Sequence, residues 1–142
     1  MNKNKKLLIK GETNMIKMTN EEIVSAYQAL HMIGEHQGCD PVAALKAARN
    51  KKILLPLVET RDEAVQKTLK QYAMKDENGD VKSDDAGNAL FVDPADKKKY
   101  MDAFKKIGKA DVEVEALLFT EEELQQLQAT PNEMYALLPL LK

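Results

Sequence analysis

This 142-residue chain is poor in several residue types, and each shortage limits what the protein can be. It has no tryptophan, and aromatic residues make up only 5% of the sequence, so a core must be built mainly from Leu, Ile, Val, Met and Ala, a composition typical of packed helices. The single cysteine, Cys39, cannot form an internal disulfide, so nothing indicates an oxidising compartment. No apolar run approaches transmembrane length. We therefore expect a soluble, intracellular protein that makes no membrane contact.

The first fourteen residues have two interpretations. The basic opening MNKNKKLLIK has an apolar run of only three residues, too short for a signal peptide. The codons for residues 10–12 can contain a bacterial ribosome-binding sequence at a suitable distance from Met15. We hypothesise that Met15 is the native initiator and that residues 1–14 are a translated basic leader; the alternative is a short basic arm. Without the leader the formal net charge would be −5 instead of −2, and either value disfavours direct nucleic-acid binding.

Five helix starts are marked by a side-chain oxygen acceptor followed by proline, by an acidic residue three positions later, or by both. The markers are Thr19 with Glu22, Asp40-Pro41, Asp93-Pro94 with Asp96, Thr120 with Glu123, and Thr130-Pro131 with Glu133. Between the second and third markers, apolar residues keep a helical period on both sides of Pro56. Proline there allows either one long helix or two, and we predict a long helical hairpin around Pro56.

Two kinds of β-structure are also predicted. Residues 111–118 alternate apolar with acidic side chains, the period of a half-buried strand, and we expect them to pair with residues 14–18. The Asn78-Gly79 and Gly87-Asn88 steps tolerate positive φ and predict a small, turn-rich β-ribbon at residues 79–92. The predicted fold is therefore a single α+β domain over residues 15–142, mainly α, with a short strand pair that joins its N- and C-terminal parts.

Candidate catalytic and metal sites are weak. His31, His36 and Cys39, flanked by Glu35 and Asp40, are the only His/Cys cluster, and their spacing is poor for a metal site. The segment at residues 76–80 has its glycine too early for a calcium loop. We find no nucleophile with a placed base and no phosphate loop. We therefore expect a protein that is not an enzyme and that uses no metal or cofactor.

Charge distribution suggests a contact surface. Residues 94–109 carry six lysines, whereas residues 111–142 carry seven acids and one lysine. One interpretation is a pair of complementary solvated faces within one molecule. The sharper hypothesis is an acidic surface that docks on a basic partner. The candidate partner-surface residues are Glu113, Glu115, Glu121, Glu122 and Glu123. The apolar tail at residues 134–141 either covers the core or forms a patch for a partner. A homo-oligomer is a further alternative, because the apolar helical faces can pack between chains as well as within one.

Five stretches occur in an order that resembles a known family. They are MIKMTNEEIVSAYQAL, ILLPLVETRDEAVQKTLKQY, KDENGDVKSDDAGN, DVEVEALLF and PNEMYALLPLL. Together they resemble a family of small uncharacterised proteins of tailed phages and prophages of Gram-positive bacteria, often encoded near tail and lysis genes. The resemblance covers residues 15–142 and implies a phage setting without known enzymatic activity. It carries over no catalytic or binding residue.

Two functions follow as expectations. The first is a non-enzymatic phage accessory protein that contacts other phage structural proteins in virion assembly, at the tail or connector. The alternative is a host-directed inhibitor, such as an anti-defence protein, that blocks a host enzyme through its acidic surface. Either function places the protein in the host bacterial cytoplasm, and the first also places it in the virion.

Overall fold

A computed structural model describes residues 13–142, which form a mainly helical α+β fold with one two-stranded antiparallel sheet. This confirms the predicted fold class. In chain order the elements are β1 (Thr13–Thr19), α1 (Asn20–Ile33), α2 (Pro41–Tyr72), α3 (Pro94–Lys109), β2 (Asp111–Leu117), α4 (Glu121–Gln126), α5 (Pro131–Ala136) and a 3-10 turn (Leu138–Leu140). The proposed leader lies outside the described residues, apart from Thr13 and Asn14, which begin β1. None of the helices in residues 13–142 has the length and apolar character that crossing a membrane requires.

All five predicted helix starts are confirmed, and side-chain caps explain why the helices begin where they do. Thr19, Thr120 and Thr130 each form a complete capping box with the glutamate three residues later. Each box satisfies backbone N–H groups that have no partner inside the helix. Asp40 and Asp93 cap helices whose first residue is proline, where a missing N–H costs nothing.

The predicted helical hairpin around Pro56 is wrong, because α2 runs through Pro56 without interruption for 32 residues. Proline removes one backbone hydrogen bond, the one that the carbonyl of Lys52 would otherwise accept. Both Pro56 and Lys52 are exposed, so water can reach that carbonyl. The apolar period on both sides of Pro56 then favours one continuous helix.

The predicted strand pair is confirmed. Ile16 lies opposite Val114 and Met18 opposite Val112 in an antiparallel register that begins at Thr13–Leu117 and ends at Thr19–Asp111. Met18 and Val114 are buried, whereas Met15, Lys17, Glu113 and Glu115 are exposed, as alternation along a strand requires. Beyond β2, Phe119 forms an isolated parallel bridge with Leu141.

The described residues divide into two compact units, 13–58 with 111–142 and 59–110, and α2 contributes residues to both. The first unit holds one apolar cluster, whose largest fully buried members are Phe119, Met18, Ile23, Leu30, Leu54, Leu127, Leu137 and Leu140. In the second unit, Val65 and Ala73 are the buried apolar side chains, beside half-buried aromatics. Tyr100 packs between Phe91 and Phe104, with ring centroids 5.8 and 6.1 Å apart and ring planes tilted by 36° and 43°. The single domain expected from the sequence stays a prediction.

The predicted β-ribbon at residues 79–92 is in fact two consecutive loops that begin earlier, at residue 75. The first is closed by a bridge between Lys75 and Val81, and the second by a bridge between Ser83 and Ala89. Gly79 and Gly87 have φ of 81° and 86°, which explains the glycine at each turn. Each loop supplies only one bridging pair, so residues 75–92 contain no regular strand.

The two loops repeat the same hydrogen bonds eight residues apart. Oδ1 of Asp76 accepts from the N–H groups of residues 78 and 80, and Oδ1 of Asp84 accepts from those of residues 86 and 88. At their base, Met74, Lys82 and Leu90 form a ring of three backbone hydrogen bonds, each 2.8 Å long. The segment is thus an internal repeat built on Asp and Gly.

Candidate functional site

The predicted acidic residues on β2 lie on the exposed face of the sheet. Glu113 and Glu115 are both exposed and occupy alternate positions of β2. Lys17 lies opposite Glu113, and the Thr13 hydroxyl donates a 3.0 Å hydrogen bond to Glu115 Oε1. These two carboxylates are therefore accessible, although Glu113 faces Lys17 and Glu115 accepts a hydrogen bond from Thr13.

The three glutamates at the start of α4 differ in what they contact. Glu121 and Glu122 are exposed, and no described residue forms a hydrogen bond or ion pair with either carboxylate. Glu123 is instead the acidic partner of the Thr120 capping box. The structure therefore leaves Glu121 and Glu122 available to a partner, whereas Glu123 is engaged within the fold.

Glu123 also forms a bidentate ion pair with Lys46 of α2, with Nζ–O distances of 2.9 and 3.0 Å. The Lys46 ammonium lies 5.5 Å from the centre of the Phe119 ring. Burial would raise the pKa of Glu123, but the hydrogen bond from the Thr120 N–H and the Lys46 charge outweigh it, so the pKa is lowered from 4.5. This ion pair ties α4 to α2.

Of the candidate metal ligands, the structure brings His36 and Cys39 together and leaves His31 with a different neighbour. His36 Nδ1 and Cys39 Sγ both lie 3.2 Å from the carbonyl oxygen of Leu127. His36 Nε2 is 3.3 Å from Glu133 Oε2. His31 Nδ1 instead lies 2.9 Å from Lys51 Nζ. Within residues 13–142 no three His, Cys, Asp or Glu side chains are grouped to hold a metal ion.

The contacts of His36 and Cys39 hold the loop between α1 and α2 against the C-terminal part of the first unit. Two further bonds act in the same place: the Asp40 N–H donates to the Gln126 carbonyl, and the Gln128 side chain donates to the Gly38 carbonyl. Glu133 serves both His36 and the Thr130 capping box. The cluster thus positions backbone segments, and Asp40 caps α2.

A groove lies between the start of α1 and the C-terminal segment, residues 134–142. Its volume is about 530 Å³, and it is lined by Glu21, Glu22, Ser25, Tyr135, Ala136, Leu138 and Pro139. Tyr135 is 77% exposed and Leu138 52% exposed, whereas Leu137 and Leu140 are fully buried. The C-terminal segment therefore both covers the core and presents an apolar surface. The sequence did not separate these roles, because the buried pair Leu137 and Leu140 has the same three-residue spacing as the exposed pair Tyr135 and Leu138.

A second groove lies wholly within the second unit. Its volume is about 830 Å³, and its walls include the second loop of the repeat and the α3 residues Lys97, Tyr100 and Met101. Met101 is exposed. The walls combine apolar side chains with the charged residues Asp84, Asp93 and Lys97. The sequence did not reveal this groove, because its walls come from separate segments of the chain.

The chain was compared with models of protein families, with curated proteins and with solved structures, and no match was found in any of the three comparisons.

Proposed function

We propose that this protein is a non-enzymatic phage accessory protein that acts through protein–protein contacts in virion assembly, at the tail or connector. The phage setting rests on the sequence resemblance alone. The contact function is supported by one observation, the exposure of Tyr135 and Leu138 on a groove bordered by Glu21 and Glu22.

An exposed tyrosine beside a groove gives a partner protein an aromatic side chain to contact. Aromatic residues supply much of the binding energy at interfaces, because they bury a large area and lose few rotamers. Glu21 gives the groove an acidic side, and the charge of Glu22 adds to it, although Glu22 Oε1 already accepts from the Thr19 N–H. A partner segment that combines an apolar side chain with a lysine or arginine would match both features.

Affinity purification of the tagged protein from phage-infected cells tests the proposal. We expect recovery of phage tail or connector proteins and loss of that recovery with the double variant Tyr135→Ser, Leu138→Ser. The matched control is Val42→Ser, Leu45→Ser, because Val42 and Leu45 are 75% and 53% exposed and also lie three residues apart. This control should retain the phage partner. Absence of the protein from virions and assembly intermediates would count against the proposal.

The second candidate function is inhibition of a host enzyme through the acidic surface. Glu121 and Glu122 favour it, because both are exposed and have no partner among the described residues. This function predicts a single host protein in the purification, bound less tightly at high salt. The variant Glu121→Gln, Glu122→Gln should weaken that complex, whereas Glu123→Gln should act mainly on stability.

A further inference from the structure

The hydrogen bonds of Asn50 reveal which way the backbone of the sheet faces. Asn50 is fully buried, and its side-chain amide pairs with both backbone groups of Leu117: Nδ2 donates to the carbonyl oxygen at 2.6 Å, and Oδ1 accepts from the N–H at 2.9 Å. These groups of Leu117 therefore point away from β1. Since backbone direction alternates along a strand, those of Glu113 and Glu115 point the same way.

The same alternation of backbone direction shows which residues of β1 have backbone groups on its outer edge. Thr13 lies opposite Leu117 and Met15 opposite Glu115, and two residues facing each other in an antiparallel pair point both toward or both away from the partner strand. Thr13, Met15 and Lys17 therefore direct their N–H and C=O groups away from β2. No described residue bonds to the backbone of Met15 or Lys17 on that side, and Met15 is 63% exposed.

The outer edge of β2 is protected in two ways. Asn50 occupies it at Leu117, and the C-terminal segment occupies it at Phe119, whose N–H donates to Leu140 and whose carbonyl accepts from Lys142. The remaining edge carries Asp111, Glu113 and Glu115. Charged residues on an edge strand oppose pairing with a like strand.

We propose that two copies of this chain pair through β1, antiparallel about a two-fold axis at Met15, to form one four-stranded sheet. In this register Met15 faces Met15 of the second copy, Thr13 faces Lys17 of the second copy, and Lys17 faces Thr13 of the second copy. Each of these three pairs joins residues whose backbone groups point outward, so each pair can exchange two hydrogen bonds. Exposed methionine is buried, and no like charges meet.

The register also explains why we assign the outer edge of β1 to a second copy of this chain. Thr19 also points outward, but its N–H already donates to Glu22 Oε1. The three outward-pointing residues that remain, Thr13, Met15 and Lys17, are symmetric about Met15, so two copies of this edge can pair with each other about a two-fold axis. A β1 strand added to the β2 edge of another copy would meet Asn50 and the C-terminal segment after Glu115. Pairing through β1 alone closes at a dimer.

The first test uses proline at the two residues of one cross-strand pair. The N–H groups of Met15 and Glu115 both point away from the β1–β2 ladder, so proline at either position removes one outward donor and no ladder bond. Sedimentation equilibrium should show a dimer for the wild type, a dimer weakened by about tenfold or more for Met15→Pro, and an unchanged dimer for Glu115→Pro. Circular dichroism checks that both variants fold.

A cysteine cross-link tests the register without relying on proline. Met15→Cys should give a covalent dimer on mild oxidation, because facing residues of such a pair lie about 5.5 Å apart at Cα, within disulfide range. Asn14→Cys should not, because two Asn14 residues would lie about 8 Å apart in this register. The wild type, with Cys39 alone, reports the background. A monomeric wild type, a larger open assembly, or equal cross-linking at both positions would overturn the proposal.

Discussion

Individual side chains in this protein often serve two segments at once. The Asn50 amide bonds to both backbone groups of Leu117, as a neighbouring strand would. Glu133 accepts from the Thr130 N–H at the start of α5 and also contacts His36. Asn50 should cost more to replace than its two contacts suggest, because its loss leaves two buried backbone groups of Leu117 without a partner.

We expect Asn50→Ala to lower the free energy of unfolding by about 3 kcal/mol, since it leaves a buried N–H and a buried C=O of Leu117 unsatisfied. Urea denaturation measures this change as a shift of the midpoint. Gln71→Ala, at an exposed position of the same helix, is the control and should change stability by less than about 0.5 kcal/mol. An Asn50→Ala protein as stable as this control would contradict the role assigned to the amide.

The ion pair of Glu123 predicts a pH dependence. Its pKa in the folded protein lies below the ordinary value of 4.5, so ionisation favours the folded state. The stabilisation is present above about pH 4.5 and is lost as the pH falls through the lower, folded-state pKa. Glu123→Gln should therefore destabilise the protein by about 1 kcal/mol at pH 7 and by less at pH 3. Thermal unfolding at both pH values, with Glu122→Gln as control, measures the difference.

Among the elements, the tandem loops show how a short sequence repeat becomes a repeated structure. Each loop combines an aspartate that accepts two backbone N–H groups with a glycine at positive φ. The sequence predicted both turns. It did not reveal that the loops are equivalent, because the ring of hydrogen bonds joining Met74, Lys82 and Leu90 depends on how the two loops pack.

We expect Gly79→Ala and Gly87→Ala to destabilise the second unit by about 1–2 kcal/mol each, because a Cβ disfavours the left-handed backbone. A Cβ at either position would meet nothing within 4 Å, so the cost is conformational and should be similar in the two loops. Gly79→Asn should cost less, since asparagine tolerates this region better. Urea denaturation followed by far-UV circular dichroism tests this, and very unequal effects would contradict the equivalence of the loops.

For the whole molecule, burial predicts unequal stability of the two units. The first unit contains the large apolar cluster, whereas the buried apolar side chains of residues 59–110 are Val65 and Ala73. Amide hydrogen exchange should therefore show smaller opening free energies in residues 59–110 than in residues 111–142. Val65→Ala should speed exchange in the former and leave the latter unchanged. Equal exchange in both regions, or equal acceleration by Val65→Ala, would instead support a single cooperative domain.

The sequence by itself determined the local structure of this protein. Every predicted helix start was found, as were the β1–β2 pair and both glycine turns, because caps, proline and strand alternation act within a few residues. Only the tertiary structure decided that α2 continues through Pro56, where solvent can satisfy the lost bond. It also decided that Tyr135 stays exposed beside buried Leu137, and that Asn50 reaches Leu117 across 67 positions of sequence. These outcomes depend on which distant groups meet, and local propensities carry no information about that.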